Sequence, residues 1–162
     1  MVHIYQLAKE FRAALESTPR IGLHTTLGCS NFPNACCDDA SLLLAAYLSD
    51  NGFTGSRRVN GVNGGTSKEL KSHIWLLWSD LIIDITADQF MDYGIAPVLV
   101  SKKSEFHETF KIEDEEPADF RVKFQNDPRW LSNFGNVNRP GFPRHSPSSG
   151  NNAFQTPLAT AA

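Results

Sequence analysis

The stretch NFPNACCDDASLLLAAYL, residues 31–48, carries two adjacent cysteines into a segment with helical periodicity. The apolar side chains on one face of that segment are Ala40, Leu43, Leu44, Tyr47 and Leu48. This spacing predicts an amphipathic helix that begins close to Cys37. The SDNG that follows predicts the end of the helix, with Gly52 as its C-cap. Thiols at the first turn of such a helix need a chemical reason, because apolar side chains would serve a core better.

A second helix and an antiparallel sheet are predicted around this segment. Residues 3–16 place apolar side chains at helical spacing, and Pro19 ends the pattern. Residues 20–35 are rich in glycine and short polar side chains, which favours a loop. The predicted strands are residues 57–62, 72–78, 81–85, 95–101 and a short one within 107–117.

The central strands are predicted to form a hairpin. Residues 72–78 and 81–85 flank a tight polar turn at Ser79–Asp80. Both runs are continuously apolar, which predicts a sheet covered on both faces. Pro97 places residues 95–101 at a sheet edge or a strand start, and the acidic run near residue 115 favours a solvated turn. The order of elements predicts an α+β domain.

Composition predicts one folded domain over residues 1–130 and a poorly ordered tail over residues 131–162. The chain has 162 residues, of which 41% are hydrophobic and 20% charged, as in ordinary globular domains. The tail is rich in Asn, Pro, Gly and Ser and has few aliphatic residues. It therefore buries too little apolar surface to offset the entropy of ordering.

Charge and cysteine content narrow the classes of partner. A net charge of −3 offers no basic surface for nucleic acid or an anionic membrane. No apolar run is long enough to cross a bilayer, and the charged N-terminal segment does not resemble a signal peptide. Three cysteines cannot form a fully paired disulfide framework, so we expect reduced thiols and a cytoplasmic location.

Cys37 is the residue for which a chemical role is predicted. A thiol in the first turn of a helix lies beside unpaired backbone N–H groups and the positive end of the helix dipole, which favour the thiolate. The backbone N–H of Cys37 could also hold a developing oxyanion. A nucleophilic cysteine further needs a base and a group that orients the base.

His73 and Asp84 fit those two requirements. With the turn at Ser79–Asp80, position 84 lies opposite position 75 and diagonal to position 73 on the same face of the sheet. Asp84 interrupts the apolar run LIIDI, which is costly unless the carboxylate has a partner such as an imidazole N–H. The residues therefore predict a contact between His73 and Asp84.

The same residues carry a resemblance to a known superfamily. The segments FPNACCDDASLLLAAYLSDNG, SHIWLLWSDLIIDITADQF and PVLVSKKSEFHETF resemble small bacterial transglutaminase-like proteins of the papain-like/transglutaminase-like superfamily. Their pattern is roughly F-P-x-G-S-C-G-D-A-S, then H-x-W, then I-D-I-T-A-D-Q-F, and the resemblance covers about residues 31–110. It implies a helix bearing a catalytic cysteine, packed on an antiparallel sheet that bears the histidine and the aspartate.

The resemblance implies that Cys37 is the nucleophile, His73 the base and Asp84 the residue that orients the base. Cys36 stands at the serine of the pattern and is expected to pack beside the site. Asn31 lies six residues before Cys37, the offset of the oxyanion-hole glutamine in papain-like enzymes.

The chain departs from the pattern next to the nucleophile. Ala35 and Asp38 replace glycines, and the charge of Asp38 opposes the thiolate while it suits a first helical turn.

Other interpretations of these residues stay open. Cys37 could be a small buried side chain, which would leave a catalytically inactive transglutaminase-like binding module. His24, Cys29, Cys36 and Cys37 could hold zinc, although they lack the usual pairwise spacing. Asp88 and Gln89 favour a cap on the turn after the second hairpin strand, and His107 favours packing near the sheet edge.

The function predicted is cysteine-dependent acyl transfer on a protein, peptide or amide substrate, by a peptidase, amidase, deamidase or transglutaminase. The acceptor of the acyl group, water or an amine, depends on the pocket and stays open. No phosphate loop or dinucleotide fingerprint is present, so we expect no cofactor. Because the possible zinc ligands lack pairwise spacing, we also expect no metal.

Overall fold

The computed structural model describes residues 1–138, which form an α+β fold with six α-helices and one five-stranded antiparallel sheet. The helices are α1 (Val2–Ser17), α2 (Thr25–Cys29), α3 (Cys37–Asp50), α4 (Glu105–Glu108), α5 (Phe120–Lys123) and α6 (Pro128–Val137). The strands are β1 (Arg57–Gly64), β2 (Leu70–Trp78), β3 (Leu81–Asp84), β4 (Leu99–Ser101) and β5 (Lys111–Pro117). The predicted fold class is confirmed at this level.

The hairpin β2–β3 is the centre of the sheet. The strand order is β4-β3-β2-β1-β5, and every neighbouring pair is antiparallel. Trp78 pairs with Leu81 and Leu76 with Ile83, so the turn lies at Ser79–Asp80 as predicted. Strand β4 is one edge of the sheet, in agreement with the expectation from Pro97.

Both faces of the sheet are covered, as the apolar runs predict. Leu76 and Ile83 pack with α1 and α3 in the main core, where they are fully buried. On the opposite face, Trp75 lies in a second apolar cluster with Val59, Ala87, Phe106 and Phe110. Alternate residues of β2 therefore serve two different cores.

The two long helices form where their apolar periodicity predicts them. Helix α1 buries Ile4, Leu7 and Phe11, and it packs against α3. Helix α3 begins at Cys37 and ends at Asp50. Its C-cap is Asn51, so the predicted cap Gly52 lies one residue too far along, where it has a φ of 89°. That backbone conformation favours glycine, which explains the residue at the helix end.

The loop predicted over residues 20–35 is wrong in part, because it contains the short helix α2. The carboxylate of Asp39 accepts hydrogen bonds from the backbone N–H and the hydroxyl of Thr26 and from the hydroxyl of Thr25. Asp39 belongs to α3, so the group that satisfies the start of α2 comes from a different helix. Local sequence cannot reveal such a cap.

The acidic run is not the predicted solvated turn but part of strand β5. Glu115 forms an ion pair with Arg57 of β1, and Arg58 of β1 pairs with Asp114 and Glu116. Opposite charges on adjacent strands stabilise the pairing that the composition of this segment disfavours.

The predicted domain boundary at residue 130 falls inside α6, and this expectation is wrong for residues up to Val137. The indole of Trp130 stacks on Phe124 with ring centroids 4.9 Å apart, and Val137 is buried. Asn133, also buried, accepts a hydrogen bond from the backbone N–H of His24 at 2.6 Å. The rest of the predicted tail, residues 139–162, lies outside the described residues.

Within residues 1–138, none of the helices combines the length and apolar character that a membrane span requires.

Arg12 joins α1 to the segment that follows β3. Its guanidinium donates to both carboxylate oxygens of Asp88, at 2.7 and 2.8 Å, and to the backbone carbonyls of Ile85 and Pro97 at 2.7 Å. Arg12 is only 6% exposed, so these hydrogen bonds replace the water that the charge would otherwise need.

We expect Arg12→Met to lower the free energy of unfolding by about 3 kcal/mol, because a half-buried carboxylate and two carbonyls lose their donor. Urea denaturation measures the change. Arg129→Met is the matched control, since Arg129 is exposed and its loss should cost at most about 0.5 kcal/mol. Equal losses in the two variants would contradict the assigned role of Arg12.

Candidate active site

His73 on β2 and Asp84 at the end of β3 are in contact. The Nε2 of His73 lies 2.6 Å from Oδ2 of Asp84, and the two residues are 0% and 2% exposed. A carboxylate only accepts, so Nε2 carries the proton and donates it to Asp84. The diagonal contact that the hairpin register predicts is thus present, while the catalytic roles stay predictions.

The carboxylate of Asp84 is fully hydrogen-bonded. Its Oδ2 also accepts from Nε2 of His107 at 2.9 Å, and its Oδ1 accepts from the backbone N–H and hydroxyl of Thr86 at 2.8 and 3.1 Å. Burial alone would raise the pKa of Asp84, but the charges and hydrogen bonds of the two histidines hold that pKa well below its usual range. Asp84 is therefore ionised at neutral pH.

His107 is the site residue that the sequence did not reveal. It belongs to α4, is 3% exposed, and its Nδ1 lies 2.7 Å from the hydroxyl of Ser104. The indole of Trp75 packs edge-on against it with ring centroids 4.7 Å apart. The prediction of packing near the sheet edge missed its contact with Asp84, because nothing local to residues 104–108 points to that carboxylate.

Aromatic rings surround His73 and exclude water from it. The ring centroids of Phe90, Trp75, Phe106 and Phe110 lie between 5.1 and 6.0 Å from that of His73. Burial alone would lower the pKa of His73, but Asp84 and a side-chain hydrogen bond and charge interaction with Cys37 raise it to about 9. The imidazole is therefore protonated at neutral pH.

The two cysteines differ in exposure and in chemistry. Cys37 opens α3, is half-buried, and interacts with His73. Cys36 is 1% exposed and its Sγ donates to the carbonyl of Pro33 at 3.3 Å, while burial raises the pKa of this thiol to about 12. Cys36 is thus held as a protonated thiol, and Cys37 is the one of the pair that is partly open to solvent.

The structure does not bring Asn31 to the other predicted residues. Its backbone carbonyl accepts from Asn34, and its side chain lines a cavity of about 220 Å³ with Leu15, Leu27 and Phe32. In the described part of the chain, no hydrogen bond joins Asn31 to Cys37 or His73.

Gln89 occupies a position next to His73 instead. Its Nε2 donates to the carbonyl of Thr86 at 2.9 Å and lies 3.5 Å from Nδ1 of His73. Its Oε1 faces the backbone N–H of Ala35 at 3.4 Å. The predicted turn cap is confirmed for Gln89, whereas Asp88 is bound by Arg12 and does not cap the turn.

Asp38 and Ala35, which depart from the transglutaminase-like pattern, each have a distinct structural environment. The Oδ1 of Asp38 accepts from Nε of Arg58 at 2.6 Å, so a buried cation compensates the charge next to Cys37. Ala35 has a φ of 54°, in the left-handed region that favours glycine. Ala35 therefore stands at a position where the backbone conformation favours the glycine of the pattern.

His73, Asp84 and His107 are also the residues that could hold a metal ion. One ligand atom from each lies within 4.8 Å of the others, and two imidazoles with a carboxylate suit several divalent metals. Each of these atoms already has a hydrogen-bond partner, which a cation would have to displace. Over residues 1–138 the set His24, Cys29, Cys36 and Cys37 does not come together as a ligand cluster.

Comparisons of the chain with protein-family models, with curated proteins and with solved structures found no match. The chemistry of the site therefore has to be argued from its own residues.

The raised pKa of His73 makes stability depend on pH. A folded pKa of about 9 exceeds the value of about 6.5 in an unfolded chain, so the stabilisation is complete below about pH 6.5 and is lost as the pH rises through 9. We expect a loss of about 3 kcal/mol between about pH 6 and pH 10, measured by urea denaturation.

Asp84→Asn should flatten that dependence, since it removes the charge that holds the proton on His73. His3→Gln removes an exposed histidine and serves as the control, with the wild-type dependence expected. A wild-type dependence that survives in Asp84→Asn would show that another group causes it.

The ion pair of Asp38 with Arg58 should keep Cys37 reactive, because it compensates the negative charge next to the thiol. We expect Arg58→Met to slow alkylation of Cys37 by iodoacetamide about fivefold near neutral pH, because the released carboxylate disfavours the thiolate. The double variant Arg58→Met/Asp38→Asn should restore the rate. If it stays slow, Arg58 acts through the local structure and not through the charge of Asp38.

Proposed function

We propose that this protein is a cysteine-dependent acyl-transfer enzyme with Cys37, His73 and Asp84 as its catalytic triad. The observation that carries the proposal is the buried His73–Asp84 pair, whose imidazole also interacts with a cysteine in the first turn of a helix. Such a cysteine, with a protonated imidazole beside it, meets the requirements of a thiolate nucleophile.

The hydrogen bonds define what each group would do. Asp84 accepts a hydrogen bond from Nε2–H of His73, so Nδ1 is the ring nitrogen left to exchange a proton with the thiol of Cys37. The sulfur attacks a carbonyl carbon, and the protonated Nδ1 then gives its proton to the leaving group. Asp84 keeps its negative charge throughout and stabilises the imidazolium.

His107 would support Asp84 in this scheme. It donates to the same oxygen as His73 and is itself bound by Ser104, so the carboxylate cannot rotate away from the catalytic imidazole. Cys36, protonated and buried, would be a packing residue beside the nucleophile.

The papain-like/transglutaminase-like core belongs to this proposal. Its support is the chain order of a cysteine on a helix followed by a histidine and an aspartate on adjacent strands, together with the three sequence segments that resemble transglutaminase-like proteins. The substrate class is a protein, peptide or other amide, and the acyl group goes to water or to an amine. A reducing, cytoplasmic setting suits a function that needs a free thiol.

Selective alkylation of Cys37 tests the nucleophile. We expect iodoacetamide to label Cys37 at least about tenfold faster than Cys29 near neutral pH, with the site identified by mass spectrometry. His73→Ala should slow the labelling of Cys37, because the imidazolium that favours the thiolate is gone. Cys37→Ala should abolish turnover of amide or ester substrates without loss of the fold.

Cys36→Ala is the matched control and should retain the labelling of its neighbour. If Cys37 reacts no faster than the exposed Cys29, or if Cys37→Ala keeps its activity, the triad is not a catalytic one. A catalytically inactive binding module on the same fold would then be the better interpretation.

A further inference from the structure

The amide of Gln89 is held in one orientation at the point where β3, the loop before α3 and His73 meet. One N–H of its Nε2 donates to the carbonyl of Thr86 at 2.9 Å, and Oε1 faces the backbone N–H of Ala35 at 3.4 Å. A flipped amide would set Oε1 against the Thr86 carbonyl, so the hydrogen bonds determine which end is the donor.

Among residues 1–138, the second N–H of this amide has no good acceptor. The nearest ring atom is Nδ1 of His73 at 3.5 Å, which is too far for a good hydrogen bond and carries a proton in the imidazolium. Nδ1 is also the ring atom that the proposed mechanism assigns to the thiol of Cys37. The free N–H therefore lies beside the imidazole that interacts with Cys37, and Oε1 of the same amide faces Ala35, two residues before that cysteine.

Attack of the Cys37 thiolate on a carbonyl creates an oxyanion one bond away from the carbon that the sulfur joins. The backbone N–H of Cys37, at the start of α3, offers one donor, and an oxyanion site is usually completed by a second. Asn31, which the sequence suggested, lies in a different environment. Gln89 is the amide side chain that approaches the imidazole.

We infer that Gln89 is a catalytic residue whose Nε2 donates a hydrogen bond to the oxyanion formed on the substrate carbonyl. This inference rests on the proposed function of Cys37. The sulfur forms a C–S bond as the carbonyl π bond breaks and its electron pair moves to oxygen. When the pair returns, the bond to the leaving group breaks and a thioester remains.

Two electrophiles separate this role from a structural one. p-Nitrophenyl acetate acylates Cys37 through a tetrahedral oxyanion and releases p-nitrophenolate, whereas iodoacetamide alkylates the same sulfur by displacement at a saturated carbon, without an oxyanion. The readout is the ratio of the acylation rate to the alkylation rate of Cys37. Because both reactions use the same thiolate, the ratio cancels changes in thiol reactivity.

We expect Gln89→Ala to lower this ratio about 100-fold, the usual effect of removing one oxyanion donor. Gln89→Met keeps the size of the side chain without a donor and should give the same result, which guards against a cavity effect in the alanine variant. Gln125→Ala removes an exposed amide far along the chain and should leave the ratio unchanged.

An unchanged ratio in both Gln89 variants would overturn the inference. An equal fall in the acylation and alkylation rates would overturn it too, since Gln89 would then affect the reactivity of the thiol or the imidazole and not the oxyanion. Failure of the proposed function is a distinct result. In that case wild-type Cys37 would react no faster than Cys29 with either reagent. The ratio of the two rates would then contain no effect of oxyanion stabilisation, even in the wild-type protein.

Discussion

The buried carboxylate of Asp84 is the constraint on which the rest of this structure depends. An unpaired carboxylate at that depth would cost several kcal/mol, and the fold avoids this cost by directing four donors to it. Those donors come from β2, from the turn after β3 and from α4. Satisfying one charge thus assembles three separate segments into one site.

The same interaction determines the chemistry that His73 can perform. Because Asp84 binds Nε2, the imidazole presents Nδ1 to the start of α3. The surrounding aromatic rings exclude water, so the charge–charge attraction is strong enough to outweigh the burial that would otherwise remove the proton. Without Asp84, the burial of His73 would lower the pKa of the imidazole.

Helix α1 supports the site from a distance through Arg12. Its guanidinium donates to the carbonyl of Ile85 and to both carboxylate oxygens of Asp88, directly after Asp84, and the same turn carries Gln89 next to His73. The loop before α3 approaches the same place through Ala35. A partly buried ion pair between the first helix and the segment after β3 therefore holds the turn that carries Gln89.

By itself the sequence determined the two long helices, the hairpin and the approach of His73 to Asp84. These follow from local rules, because periodicity decides which face is buried and a two-residue turn sets the register between neighbouring strands. Only the tertiary structure decided the contacts of His107 with Asp84 and of Gln89 with His73. It alone also decided the cap that Asp39 provides for α2, the pairing of the acidic strand β5 with Arg57 and Arg58, and the continuation of α6 past residue 130. Each of these depends on a polar or apolar partner that is distant in the chain, and neither residue of such a pair carries a local signal of the other.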